Sequence, residues 1–163
     1  MLPKRQRRRT MPEEIPDRAV SQADAPPGFV PVILLVEDEE PIRELIGMAL
    51  SGRGYQVHTC AESERAMEMA ATLPAPPHLL ITDIHMQGLS GPELAAKMVA
   101  HYPELRILFV TGYASTSEHV RPALEFANAG FLRKPFSLAE FREQVEKVVQ
   151  ELRAAPARLA GSA

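Results

Sequence analysis

Three carboxylates, a hydroxyl and an ammonium stand at separate points of this 163-residue chain, each just after an apolar run. Glu37 and Asp38 follow residues 32–36, Asp83 follows 79–82, Thr111 follows 105–110 and Lys134 follows 130–133. Carboxylates brought within a few ångströms repel one another and push at least one pKa upward unless a cation neutralises them. Oxygen-only ligands from few carboxylates in an open, wet cleft suit Mg²⁺, which keeps several waters in its octahedral shell. With Mg²⁺ and Lys134 opposite a carboxylate, such a site receives a dianionic phosphoryl group, and a carboxylate can attack phosphorus to give an aspartyl phosphate. Asp83 lies between the other two clusters and is the best nucleophile of the set.

These groups converge only if the chain supplies the right frame. Strand-like runs at 32–36, 55–60, 79–82, 105–110 and 130–133 alternate with helical periodicity, the signature of βαβ units and a parallel sheet. Three of the runs are almost continuously apolar, as expected when helices cover both faces. The run at 55–60 alternates Tyr55, Val57 and Thr59 with Gln56 and His58 and reads as an edge strand.

The first helix carries a stripe of Ile42, Leu45, Ile46, Ala49 and Leu50, with Pro41 in its first turn and Gly52 and Gly54 at its exit. The last helix repeats the pattern through Leu138, Phe141, Val145, Val148, Val149 and Leu152 after a Ser137 cap. Less regular helices fit at 62–73, 91–101 and 115–127. The expected fold is α/β: a doubly wound, five-stranded parallel sheet in flavodoxin-like order 2-1-3-4-5 with helices on both faces. Ligands of open α/β sheets bind beyond the carboxyl ends of the strands, where all five groups fall.

Composition sets the outer bounds. The chain is 18.0 kDa, 45% hydrophobic and 24% charged, enough for one domain and too little for a multidomain enzyme. Its one cysteine, Cys60, excludes a disulfide framework and points to a reducing compartment. With no membrane-length apolar run and no apolar leader segment, the expectation is a cytoplasmic protein with no membrane association. Residues 1–31 are proline-rich and carry the basic run Lys4, Arg5, Arg7, Arg8 and Arg9, giving net +2, whereas 32–163 carry net −5. The expected organisation is a disordered basic tail over 1–31, a folded domain over 32–153 and a short frayed tail over 154–163. The acidic folded part argues against specific DNA binding.

Four segments together are highly specific: LLVEDEEPIREL at 34–45, LLITDIHMQGLSG at 79–91, LFVTGYA at 108–114 and GFLRKPF at 130–136. Over residues 32–152 the chain resembles the receiver domain of bacterial two-component response regulators. The resemblance implies that Asp83 is the phosphoacceptor, that Asp38 ligates Mg²⁺ directly with Glu37 acting largely through water, and that the main-chain carbonyl of His85 is a further ligand. It matches Thr111 to the hydroxyl that closes onto the phosphoryl oxygens, Lys134 to the lysine that pairs with them and Phe131 to the switch aromatic. It implies a cis peptide at Pro135 that aims the lysine into the cleft. Gln87 departs from the family, which usually has proline there.

The resemblance implies a phosphoacceptor signalling switch rather than an enzyme, one that would catalyse only its own phosphorylation and dephosphorylation. Its donor would be a histidine kinase or histidine phosphotransfer protein. Its output would be a downstream protein target, or a homodimer, engaged through the 115–127 helix, the 130–133 strand and the last helix. His85 and Tyr113, two residues beyond Asp83 and Thr111, would cover the phosphoryl group. The TGYA and RKPF segments resemble those of receivers attached to hybrid kinases. A haloacid-dehalogenase-like phosphatase wants DxDxT where this chain has Asp38-Glu39-Glu40-Pro41; a flavodoxin-like FMN carrier wants a Ser/Thr/Gly-rich phosphate loop there, and the acidic loop would repel the flavin phosphate. A scaffold that is never phosphorylated is the remaining rival. His58, His101 and His119 read as surface residues, and the methionines of the second and third helices as core filler.

Overall fold

The computed structural model describes residues 28–112, 118 and 120–159. Five strands, β1 (Val32–Val36), β2 (Gln56–Cys60), β3 (Leu79–Asp83), β4 (Arg106–Thr111) and β5 (Ala129–Arg133), form one parallel sheet in the order β2-β1-β3-β4-β5. Among the described residues, four α-helices flank it: α1 (Glu40–Leu50), α2 (Ser63–Thr72), α3 (Gly91–His101) and α4 (Leu138–Leu159).

Successive strand residues face opposite ways, and this alternation splits the core in two. Ile33, Leu35, Leu79, Ile81, Leu108 and Val110 pack with Ile46 and Leu50 of α1 and with Phe141, Val145 and Val149 of α4. Leu34, Val36, Leu80, Ile107 and Phe109 pack on the other face with Ala66 and Ala70 of α2 and Leu94, Ala95 and Met98 of α3. The central strands therefore need apolar residues on both faces, which is why β1 and β3 read as unbroken runs and the edge strand β2 does not. Ser90 and Glu93 form a reciprocal capping box at α3. Ser137 and Glu140 do the same for α4, where Ser137 N donates to the Glu140 carboxylate (2.7 Å) and Glu140 N to Ser137 Oγ (3.1 Å).

Three expectations need correction. The fourth crossover carries, among the described residues, a 3₁₀ segment at Arg121–Glu125 instead of a helix over 115–127; 113–117 and 119, with Tyr113 and His119, lie outside the described residues. Pro122, second in that segment, fits a helix start but supplies no N–H for a longer one. Leu45 is 50% exposed, because the apolar stripe of α1 is wider than the face its sheet can cover. His58 is half-buried, since its pairing with Leu34 turns it toward the α2 side, and its Nε2 has no hydrogen-bond partner among the described residues. The backbone of α4 runs to Leu159. The 1–27 part of the expected tail and residues 160–163 are outside the described residues. Among those described, no helix is long and apolar enough to cross a membrane.

At the amino-terminal edge of the sheet, His78 N donates to Val32 O (2.8 Å), and Val32 N donates back to the His78 ring at Nδ1 (3.1 Å). The Phe29 ring meets that imidazole edge-on at 5.0 Å. Burial lowers the His78 pKa, and an imidazole that accepts at Nδ1 must be neutral. The folded state therefore binds this proton less readily than the unfolded chain, whose histidine pKa is about 6.5. The stabilisation is complete above that pH and is lost as pH falls below it toward the folded-state value. In His78→Asn the amide oxygen can take the Val32 N–H without titrating. The melting temperature of the native chain should fall more steeply than that of the variant between about pH 7 and pH 5. Parallel pH profiles would remove His78 as the cause.

Candidate functional site

The sheet's carboxyl edge fixes the candidate residues through the backbone before any side chain acts. Asp83 and Thr111 are the last residues of β3 and β4, Glu37 and Asp38 follow β1, and Lys134 follows β5. Hydrogen bonding continues past the strand ends: Glu37 N to Cys60 O (3.1 Å), Ile84 N to Val110 O (3.1 Å) and Lys134 N to Thr111 O (2.7 Å). The Lys134–Pro135 peptide is cis, in line with the resemblance.

Lys134 sends its ammonium past the end of β4 to two carboxylates. Its Nζ lies 2.7 Å from Asp83 Oδ2 and 3.4 Å from Glu37 Oε2. Asp83 uses its other oxygen, Oδ1, to accept the N–H of His85 at 2.9 Å. Glu37 is almost fully buried, and Oε1 accepts the Glu39 N–H at 3.2 Å. Burial is the main cause raising the Glu37 pKa, with the Asp83 charge adding to it, against the lowering by the Glu39 N–H and Lys134. Burial works against the Lys134 charge as well, but the bond to Asp83 and the charges of Asp83 and Glu37 outweigh it and raise its pKa. The like-charge repulsion expected from the sequence is thus the lesser cause at Glu37, behind desolvation.

Asp38 stands apart from this bridge. It is exposed, and its Oδ2 accepts the Gln87 N–H at 3.5 Å, a donor that a proline at that position would lack. Among the described residues, no three His, Cys, Asp or Glu side chains stand close enough to hold a metal ion. The donor chemistry nonetheless fits a hard divalent cation: oxygen ligands only, and three carboxylates against one ammonium leave two negative charges. The Thr111 hydroxyl is buried and donates to the Gly112 carbonyl at 3.3 Å. Phe131 is 37% exposed and stacks on Phe109, their ring centres 5.6 Å apart.

Sequence reading passed over the residues that shape this site through main-chain contacts. Arg43, one turn into α1, donates from Nη1 to the carbonyls of Glu37 (2.8 Å) and Asp38 (3.4 Å) and so holds the acidic loop. Glu64 of α2 accepts the Leu89 N–H (3.2 Å), and Ser63 Oγ donates to Gln87 O (3.5 Å), tying the loop after β3 to a second helix. Gly91 opens α3 directly against the end of β3: a Cβ there would sit 2.1 Å from the Asp83 carbonyl oxygen. A glycine just after a serine cap, closing the loop behind an aspartate, was the available signal for such an approach.

A family model for the response regulator receiver domain matches residues 33–146. The chain is 34% identical over 118 residues to the response regulator receiver protein CpdR of Brucella abortus, a match covering 72% of this chain and 95% of that protein. It is also 34% identical over 119 residues to the sensor kinase CckA of the same organism, covering 73% of this chain and only 12% of the kinase. Among solved structures, a CheY-like response regulator receiver domain protein from Methanospirillum hungatei is similar at a TM-score of 0.67 and 26% identity, over 76% of this chain and 96% of that one. A receiver domain protein from Clostridium thermocellum, at 21% identity and a TM-score of 0.68, shares the fold.

The contact at Gly91 makes a testable contrast with Gly47 inside α1. An added methyl at Gly47 meets its nearest atom, Thr59 Cγ2, at an ordinary 3.7 Å. Gly47→Ala should be neutral or stabilise by up to about 1 kcal/mol. Gly91→Ala should cost about 1–3 kcal/mol, because the Asp83 main chain has to move. Urea unfolding of both variants checks this, and equal effects would show that the close approach is not tight in solution.

Proposed function

Because the chain belongs to the response regulator receiver domain family, we propose that it is the phosphoacceptor switch of a two-component phosphorelay, with Asp83 the residue that takes the phosphoryl group. Receiver domains are phosphoacceptor signalling proteins rather than classical enzymes. The observation that carries the assignment to Asp83 is its geometry: a half-buried ammonium 2.7 Å from Oδ2, on the edge of the sheet where Glu37 and Asp38 also lie. The receiver unit on this reading is 32–153.

In the transfer, an Asp83 oxygen attacks phosphorus as the P–N bond to a histidine of the donor kinase or phosphotransfer protein breaks, and the departing imidazole keeps the bonding pair. Lys134, already against Asp83, turns to the incoming phosphoryl oxygens and offsets the charge they bring. Glu37, Asp38, Asp83 and the main-chain carbonyl of His85 would hold Mg²⁺, which when bound neutralises charge on the phosphoryl oxygens. Gln87 then has to release Asp38. The Thr111 hydroxyl exchanges the Gly112 carbonyl for a phosphoryl oxygen, and Phe131 changes its packing on Phe109. The altered surface comprises the 3₁₀ segment, β5 and α4, where Leu124 and Phe131 are exposed apolar side chains. A protein target, or a second copy of the chain, binds there, and the setting is cytoplasmic. His85 shields the aspartyl phosphate from water.

Acetyl phosphate with Mg²⁺ should add one phosphoryl group, labile to hydroxylamine as an acyl phosphate is. Asp83→Asn should abolish the label, read by intact mass; an equally labelled variant would overturn the assignment. EDTA should suppress labelling. Lys134→Ala should weaken both labelling and the structural response, whereas Thr111→Ala should keep the label and lose amide-shift changes around Phe131 on phosphorylation. Two variants that respond like the native chain would break the proposed coupling.

A further inference from the structure

Beside the phosphoacceptor edge lies a groove of about 1100 Å³ that shares Asp38, His85 and Gln87 with the candidate site and extends away from it. It runs between the loop after β3, the start of α3 and the 3₁₀ segment. Met86 and Phe126 supply apolar surface, and Asp38, Glu93, Glu118 and Glu125 supply four carboxylates. Its described lining residues include no lysine or arginine. Lys97 and Arg121 belong to the same two elements but do not line it. The side chain of Glu93 is held below the usual carboxylate range by its bonds to Ser90, so it stays charged. A groove of this kind selects a cationic segment with some apolar character.

The chain carries such a segment. Lys4, Arg5, Arg7, Arg8 and Arg9 put five positive charges into six residues, with Met11 close behind. The described chain begins at Gly28, so the stretch from Arg9 reaches up to about 60 Å when extended. A domain of this size has a radius of gyration of about 14 Å, so reach is no obstacle. A tethered segment also faces its site at an effective concentration in the millimolar range. A contact with only millimolar intrinsic affinity is then occupied about half of the time.

We propose that residues 4–11 dock intramolecularly in this acidic groove and form a basic strap along the rim of the Asp83 site. The attraction is electrostatic and at the surface, so salt weakens it. Asp38 belongs to both the groove and the edge of the cleft, which places the strap where an incoming partner has to compete with it.

The test is amide-shift comparison on the full chain, with no phosphodonor or metal present, so it stands or falls separately from the role of Asp83. At low salt, the Met86, Gly88, Ala96 and Phe126 amides should differ between the native chain and K4Q/R5Q/R7Q/R8Q/R9Q, while those of β2 should coincide. The difference should vanish at about 0.5 M NaCl. Neutralising the groove with E93Q/E118Q/E125Q, which keeps a glutamine competent for the α3 capping box, should give the same displaced positions. Coincident low-salt spectra would overturn the proposal. A difference that grows with protein concentration would overturn it too, by giving the groove to the tail of a second copy.

Discussion

One ammonium group organises the carboxyl edge of this sheet. Lys134 comes from β5, yet its partners belong to β3 and to the loop after β1, so the side chain has to pass the end of β4. Glu37 is nearly inaccessible to water, and a buried carboxylate without a partner would lose its charge or destabilise the fold. The lysine resolves this by binding two carboxylates at once, at 2.7 and 3.4 Å. The same arrangement leaves the site short of positive charge, because Asp38 is outside the bridge. A group bringing further negative oxygens would add to that deficit.

Much of the fold was readable in the sequence because parallel sheets covered on both faces impose a simple rule on their strands. The central strands β1, β3 and β4 read as apolar runs and the edge strand β2 as an alternation, and the strand order is the common solution for a doubly wound sheet with right-handed crossovers. The misreadings have a common source. Periodicity records that a residue is apolar and where it falls on a helix, but not how wide a face the neighbouring element can cover. Leu45 belongs to the stripe of α1 and is half-exposed. His58 is polar and reads as a surface residue, whereas its pairing with Leu34 turns it toward the α2 side. In the fourth crossover, Pro122 and a weak apolar pattern gave too little information to separate a helix from a short 3₁₀ segment.

The candidate site divides along the same line. The candidate residues sit at or just after strand ends, where topology collects them, and Glu37, Asp83 and Lys134 come together accordingly. Residues that act on the main chain leave a fainter trace. Arg43 looks like an ordinary helix-surface arginine until its guanidinium is found on the Glu37 and Asp38 carbonyls. Glu64 looks like a first-turn acid until it accepts the Leu89 N–H. Such roles depend on loop carbonyls and N–H groups that every sequence possesses, so residue type by itself does not reveal them.

These main-chain ties have a consequence for how a charge at Asp83 is transmitted. The loop after β3 is held from three directions: by Asp38 through Gln87, by α2 through Ser63 and Glu64, and by Gly91 N, which donates to Ile84 O at 3.1 Å. The Asp83 main chain has little room to yield on that side, since the α carbon of Gly91 is packed against its carbonyl. On the other side, among the described residues, the Thr111 hydroxyl donates to the neighbouring Gly112 carbonyl and Phe131 is partly exposed on Phe109. On the proposed reading, a new charge at the end of β3 would be relayed toward β4 and β5, because the opposite flank is braced. The direction of the response is set by which contacts resist it.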